Sequence, residues 1–347
     1  MSVFTQDQSG FDRSGLSRMG AVGAALMALA ALMVADLVTG PAGLPLSDVL
    51  QGLRDGPSGE NRRLATILWH LRMPQTLMAA LVGGALGIAG LMMQTILNNP
   101  LASPYTLGFS AAAGFGAATV ILFGTALPVA LWIGVPLAAF VATLTAAGLV
   151  YLVARYRGAA PETLVLAGIA VLFLFQSLQS LLQFMAAPEV LQQIVFWLFG
   201  SLLKATWTSV QVLGGILVLT LPLIAREVWN LTSLRLGDGN AASLGLNVDA
   251  LRRRVLVLVA LLTAGAVSFT GTIGFVGLIA PHVGRALVGE DHRFGLPMAG
   301  IMGAVVLVAA SVTGKLISPG AVIPVGIITA IAGIPMLLAV ILMKGTK

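Results

Sequence analysis

The ionisable residues that could do chemistry gather in one short stretch of an apolar chain. The segment GTIGFVGLIAPHVGRALVGEDHR, residues 271–293, begins without a charge and then places six ionisable side chains within twelve positions. They are His282, Arg285, Glu290, Asp291, His292 and Arg293. Imidazole and carboxylate groups could bind a metal ion or transfer protons. The spacing opposes a metal site, because a helix would set Arg285 beside the imidazole of His282.

Other reactive arrangements are missing from the sequence. No GxxxxGK[ST] phosphate-binding loop occurs, since Gly314-Lys315 is followed by Leu316. Cysteine is absent, and the three histidines are too scattered for a structural zinc site. No Ser/His/Asp or paired-carboxylate arrangement is visible. We therefore expect neither an enzyme nor an ATPase, with no catalytic residue, no metal site and no cofactor held by this chain.

Composition places the elements that position these residues in a membrane. Of 347 residues, 58% are hydrophobic and 9% are charged, whereas soluble domains have about 25% charged residues. The 41 glycines favour closely packed membrane helices. Apolar runs of about 20 residues indicate helices and not a β-barrel. We predict an all-α, polytopic membrane protein.

Ten apolar runs are long enough to cross a bilayer. They lie near 19–39, 74–96, 105–123, 127–153, 162–185, 206–225, 254–270, 273–289, 295–315 and 321–343. With the N-terminus inside, thirteen of the nineteen Lys and Arg residues fall in inner segments, which favours two cytoplasmic termini. Residues 1–18 would form a cytoplasmic tail and residues 19–347 one transmembrane domain. Segment 186–204 is too short and polar to span, and is predicted as a helix on the outer face.

Acidic residues are expected only near the ends of the spans. Asp36, Glu162, Glu189 and Glu227 all have this position, where a solvated or snorkelling carboxylate is the simplest interpretation. An ion-coupled secondary transporter would need an acidic residue at the midplane, and none is found. The sequence therefore disfavours that class of transporter.

Three amides mark one face of the fifth predicted span. Gln176, Gln179 and Gln183 stand at i, i+3 and i+7, so they share a helix face. Facing lipid they would be costly, and we expect them to face other helices or a wet cavity. Hydrogen bonding between helices and a polar transport path both fit this pattern.

The longest predicted inner loop, about 226–253, contains LRLGDGNAASLGLNVDALRRRV at 234–255. Asp238 or Asn240 can cap a short helix, Gly245 can end it in a left-handed conformation, and Asn247 can cap the next stretch. The pattern predicts two short helices at an angle. On the residues alone, a basic loop that fixes membrane topology is the simpler interpretation.

Two long blocks carry a family resemblance. Residues 271–293, together with LRMPQTLMAALVGGALGIAGLMMQTILNNPLASPYTLGFSAAAGFGAA at 71–118, resemble the FecCD-type permeases of bacterial ABC importers for iron-siderophores, haem and vitamin B12. The resemblance extends from about residue 60 to the C-terminus and implies a vitamin B12 importer-like permease fold with ten spans in the cytoplasmic membrane. It also implies a second, identical or paralogous permease subunit, two cytosolic ATPases that bind ATP and Mg, and an extracytoplasmic binding protein.

The resemblance further implies roles for particular residues. The loop 234–255 would dock into the ATPase, with Arg285 near the contact; interfacial anchoring alone would also explain Arg285. The residues implied in docking are Asp238, where the family often has glutamate, Ala241, Ala242, Leu244 and Gly245. The fifth span, with its three glutamines, would line the translocation path.

Binding-protein docking is the third role that the resemblance implies. Arg72, Gln75 and Lys315 match family positions that receive acidic residues of the binding protein, and Gln75 departs from the arginine found there. Arg72 and Lys315 are expected on the outer face as exposed partners in weak ion pairs.

The function expected from the resemblance is ATP-driven import of an intact iron(III)-siderophore. The alternatives are an importer of the same architecture for haem, cobalamin or an oxyanion, the secondary transporter, and a membrane scaffold that transports nothing. A scaffold should not require ATPase docking. The substrate rests on family-level analogy, because the binding protein selects the chelate before delivery.

Overall fold

The computed structural model describes residues 8–41, 43–124, 131–317 and 322–344, which form helices and connecting segments without a β-strand. In chain order the helices are α1 (Gln8–Val38), α2 (Leu46–Asp55), α3 (Arg62–Ala65), α4 (Met73–Ile96), α5 (Phe109–Phe123), α6 (Leu131–Arg157), α7 (Pro161–Met185), α8 (Pro188–Leu198), α9 (Trp207–Leu234), α10 (Asp238–Ser243), α11 (Val248–Thr270), α12 (Val276–Val288), α13 (His292–Ile317) and α14 (Val325–Lys344). Residues 1–7 of the expected tail and the first residues of the fourth and tenth expected spans lie outside the described residues.

The expected all-α membrane fold is confirmed. Within the described ranges, seven helices are long and apolar enough to cross a membrane, and the shorter apolar helices α5, α12 and α14 occupy the remaining expected spans. The helix expected within 186–204 is α8. Two boundaries were too short: α9 continues past residue 225 to Leu234, and α11 begins at Val248 instead of 254. Both extensions are polar, so hydropathy does not detect them.

The apolar helices alternate in direction between two ends of the molecule. The α10 end holds α10, the C-terminus of α4 and the turn between α12 and α13. The α2 end holds α2 and the C-termini of α1 and α13, which an ion pair between Asp36 and Lys315 joins at 2.7 Å. Because ten apolar helices alternate, α1 starts and α14 finishes at the α10 end.

Helix α4 packs at the centre of the fold through a row of glycines. Gly83, Gly87 and Gly90 follow one face at i, i+4 and i+7. A Cβ atom added at any of them would lie 2.0–2.3 Å from a carbonyl oxygen of α12 or α13, closer than atoms can approach. The three helices therefore meet backbone to backbone, as small residues allow in membrane proteins.

The chain between α1 and α4 has structure that hydropathy did not predict. Helix α2 turns Val49 and Gly52 inward, and the π-helical segment Thr66–Arg72 leads directly into α4. The indole of Trp69 donates to the Gly52 carbonyl at 2.9 Å, and the indole of Trp207 donates to the Trp69 carbonyl at 2.8 Å. These bonds fix α2 and the start of α9 on the same end.

An irregular segment interrupts the helices between α11 and α12. Residues 270–273 cross residues 198–201 and Gly326, and we call this the backbone crossing. Ser201 N–H donates to the Thr270 carbonyl at 2.7 Å, and the Tyr105 hydroxyl accepts from Ile273 N–H at 3.0 Å. Non-helical backbone between membrane-spanning helices requires such hydrogen-bond partners, because lipid offers none.

Candidate functional site

The short helix α10 is exposed at the α10 end except at one buried residue. Its end is formed as predicted, because Gly245 has a φ of +84°. Asn247 caps the next helix as predicted, accepting from Ala250 N–H at 2.9 Å, but that helix is the long α11 and not a second short helix. The start of α10 differs, since Gly237 occupies the cap position and Asp238 is the first helical residue. Leu244 is 68% exposed, whereas Ala241 is fully buried and packs α10 onto the body. Of the residues expected to dock, Ala241 is therefore internal.

Arg252 anchors α10, and the sequence reasoning missed it. The residue is 2% exposed, and its guanidinium makes two 2.8 Å bonds to the Asp238 carboxylate. Its Nε also donates to the Ile96 carbonyl at the end of α4, at 2.9 Å. Two parallel bonds to one carboxylate give a stiff, directional link. The basic run 252–254 predicts membrane sidedness only, although position 252 lies on the same helix face as the apolar positions 255 and 256.

Further ionic contacts tie neighbouring helices together at this end. Arg254 contacts Glu227 at 2.6 Å, which joins α11 to α9. Arg235, just after α9, contacts Glu290 in the turn between α12 and α13, also at 2.6 Å. The expectation of a solvated carboxylate is wrong for Glu227, which is 8% exposed, whereas Glu162 and Glu189 are exposed as expected.

The charged turn that ends residues 271–293 is structural. Asp291 caps α13, accepting from Arg293 N–H at 2.9 Å, and the Arg293 guanidinium holds the pKa of that carboxyl below its ordinary value. The buried His292 ring lies 2.8 Å from the Thr95 hydroxyl and 3.4 Å from that of Thr232. Its position thus joins α4, α9 and α13.

Arg285 points into the protein. Its side chain is 11% exposed and faces Glu290 at 3.9 Å, while its Nη1 atom is buried without a hydrogen bond. Arg285 therefore does not face outward to contact a partner protein. Arg285 holds the turn whose other side Arg235 contacts.

The glutamine face of α7 is divided between two environments. Gln176 is exposed, whereas Gln179 and Gln183 are half-buried. The Gln179 side-chain oxygen lies over Gly114 of α5, only 2.3 Å from where a Cβ atom would stand. Gln179 thus packs between helices, and Gln176 continues an exposed surface of α7 that includes Phe173 and Phe184.

A buried polar cluster occupies the α2 end. Asp36 is fully buried and accepts from Thr76 at 2.5 Å and from Lys315, while the Arg72 guanidinium donates to the Val38 carbonyl at 3.0 Å. The exposed ion-pairing surface expected for Arg72 and Lys315 is wrong, because these residues are 5% and 9% exposed. The solvated carboxylate expected at Asp36 is wrong for the same reason. Hydropathy located the end of the first span, but it could not identify Lys315, 279 positions later, as the partner of Asp36.

Gln75 lies at the edge of this cluster and lines a small cavity with Lys315. The cavity wall also includes Ser201 and Ser311 beside several aliphatic side chains. Among the residues that the structure describes, no group of three His, Asp or Glu side chains is arranged to hold a metal ion.

A central helix packed on glycines, with a short exposed helix clamped at one end, is the framework of a polytopic membrane protein. The chain belongs to the FecCD transport family, whose model matches residues 28–344. Members of this family are permease subunits of ABC transporters, so the expected family and class are confirmed.

The chain is similar to permeases named for different substrates and to a solved ABC transporter. It is 35% identical to the achromobactin transport system permease protein CbrC of Dickeya dadantii, over 97% of this chain and 95% of the relative. It is 37% identical to the cobalamin import system permease protein BtuC of Halobacterium salinarum, over 78% and 72%. A solved ABC transporter assigned to the metal-chelate type, in an inward-facing conformation, has a TM-score of 0.82 at 29% identity, covering 93% of this chain and 98% of that one.

Proposed function

We propose that this chain is the permease subunit of an ATP-driven importer that moves an intact iron(III)-siderophore into the cytoplasm. The observation that carries the proposal is α10, an exposed helix held on the body by a buried arginine. Such an element can receive a push from a motor protein and pass it to α4 and α11 without bending. The full-length match to an achromobactin permease supports the siderophore as substrate.

The motor in this proposal is a separate subunit. Two cytosolic ATPases would bind ATP and Mg, and each would contact one permease through Asp238, Ala242, Leu244 and Gly245. Ala241 and Arg285 would act from inside by holding α10 and the adjacent turn. The α10 end is then cytoplasmic, with both termini and the tail of residues 1–18 on that side, in agreement with the excess of Lys and Arg in these segments.

Delivery would occur at the α2 end. A binding protein would dock over the cavity that Gln75 and Lys315 line, with Arg72 supporting the site through its bonds to the end of α1. A second permease subunit, identical or paralogous, would complete the path, and the exposed apolar surface of α7 is a suitable face for that contact. No contact of this chain need release the iron, because the chelator remains its ligand throughout.

Uptake of a doubly labelled substrate tests this function. The permease, its ATPase and its binding protein are reconstituted in vesicles and given radioactive iron in achromobactin that carries a second label. ATP should drive iron and chelator inward in the ratio supplied, and cobalamin or haemin should enter far more slowly. Entry of iron without chelator would contradict transport of the intact complex. Preferential uptake of cobalamin would show that cobalamin, and not an iron-siderophore, is the substrate.

The glutamines of α7 are proposed to line the path. Replacing Gln176 and Gln183 with Leu keeps helix propensity and approximate volume but removes two amides from the surface. We expect uptake to fall while thermal stability changes little, because neither side chain is fully buried. Gln192→Leu with Gln193→Leu on exposed α8 controls for the added apolar area. Equal losses of uptake and stability would instead support hydrogen bonding between helices.

A further inference from the structure

The residue before α12 has an unusual backbone conformation. Phe275 has φ +67° and ψ −27°, and Val276 N–H donates to the Gly274 carbonyl at 2.9 Å across it. This is a γ-turn of the positive-φ form, which is rare and strained, and a bulky side chain makes it costlier. Gly274, the preceding residue, would accept such a conformation without cost. Strain on a phenylalanine persists only where the surroundings enforce it.

Both flanks of the turn enforce it. On one side the backbone crossing holds the chain, with Thr272 donating to the Leu198 carbonyl and Tyr105 accepting from Ile273. On the other side the Phe275 carbonyl accepts from Ile279 N–H at 2.9 Å in the first turn of α12. These hydrogen bonds therefore hold Phe275 in its positive-φ conformation while α12 keeps its position.

The strained backbone sends the phenyl ring onto α14. The ring lies over Gly333, where an added Cβ atom would stand 2.4 Å from the Cβ of Phe275. Only glycine leaves room for the ring at that position. The close contact makes the ring position depend on the distance between α12 and α14.

The ring lines a small cavity. This cavity lies between α12, α14 and the loop after α4, and it reaches the surface near Leu101, which is 41% exposed. Its other lining residues are Pro100, Leu278, Ile279, His282, Met336 and Leu337. Across the backbone crossing, a second cavity is lined by Ser201, Leu202 and Val325 at the α2 end. The crossing and the Phe275 ring thus lie between two cavities, one lined by residues of the α2 end and one by residues after α4.

We propose that Phe275 is a gate of the translocation path, sealed when its ring rests on Gly333 and opened when the strained turn relaxes. This rests on the proposed function. Helix α12 begins directly after the turn and carries Arg285, which faces Glu290, in its last turn. Because Arg235 also contacts Glu290, motion of the loop that bears α10 reaches the gate through one short helix.

The absence of cysteine makes the gate testable by labelling. Met336→Cys places a thiol in the cavity that the ring lines, and a membrane-impermeant maleimide is added to either side of sealed vesicles holding the complete importer without nucleotide. We expect modification only from the α10 end. Phe275→Gly, which suits the positive φ, and Gly333→Ala, which displaces the ring, should each add modification from the α2 end.

A ring removed elsewhere supplies the control. Phe115→Ala removes a phenyl group that packs on Phe175, 5.7 Å away, in another part of the fold, and modification should stay confined to the α10 end. Modification from both ends in the parent, no gain in either gate variant, or an equal gain with Phe115→Ala would overturn the proposal. Labelling needs no substrate, so failure of iron-chelate uptake would leave this result interpretable.

Discussion

Replacing Lys315 with Met should destabilise the protein by about 3–5 kcal/mol. The ammonium group pairs with Asp36 at 2.7 Å, and the two side chains are 5% and 0% exposed. Removing one partner leaves a buried carboxylate without its counter-charge, which costs more than the pair contributes. The measurement is thermal unfolding of the purified complex in detergent. Lys204→Met, at an exposed lysine, serves as the matched control and should change little.

The double variant separates charge from packing. Asp36→Asn in the Lys315→Met background removes the uncompensated charge and keeps an oxygen acceptor for Thr76, so most of the lost stability should return. If the double variant were as unstable as Lys315→Met, the effect would come from packing at α13 and not from the ion pair.

Replacing Arg252 with Met should uncouple ATP hydrolysis from transport. The guanidinium is the only described group that bonds both Asp238 of α10 and the Ile96 carbonyl of α4. Its loss frees α10 while leaving the apolar helices in place, and coupling effects between sites typically span about 5- to 150-fold. We expect uptake to fall within that range, whereas the ATPase retains activity that the loaded binding protein no longer stimulates.

Two further variants sharpen this prediction. Arg253→Met removes a charge from the adjacent, half-buried position and should preserve coupling. Gly245→Val forces a β-branched residue into φ +84° and should reproduce the loss, although open space surrounds the position. Full stimulation of ATP hydrolysis in both Arg252→Met and Gly245→Val would remove α10 from the coupling pathway.

Features set by local sequence were predicted, whereas features set by distant partners were not. The ten apolar helices follow from hydropathy, and the caps at Gly245 and Asn247 follow from residue types within a few positions. Helix α2 was missed because ten amphipathic residues between two spans lack the length that hydropathy detects.

Polar contacts made inside the membrane domain account for the remaining errors. Asp36 and Lys315 look like solvated ends of two separate helices until the fold brings those ends together. Arg252 falls on the apolar face of α11 and Arg253 does not, but the sequence does not identify its partners, Asp238 and the Ile96 carbonyl. Charge near a span end therefore predicts membrane sidedness. Whether that charged residue is a buried anchor or an exposed contact depends on the tertiary structure.

The glycine row of α4 bears on how the protein tolerates change. A joint made from main chains alone has no rotamers to rearrange, so heating, cooling or a different lipid mixture gives it few alternative packings to adopt. Mutation is restricted equally, because the smallest possible enlargement at Gly90 already collides with the neighbouring backbone. Adaptation to a new substrate is then confined to α7, α14 and the loops, where side chains can vary without disturbing the frame that carries them.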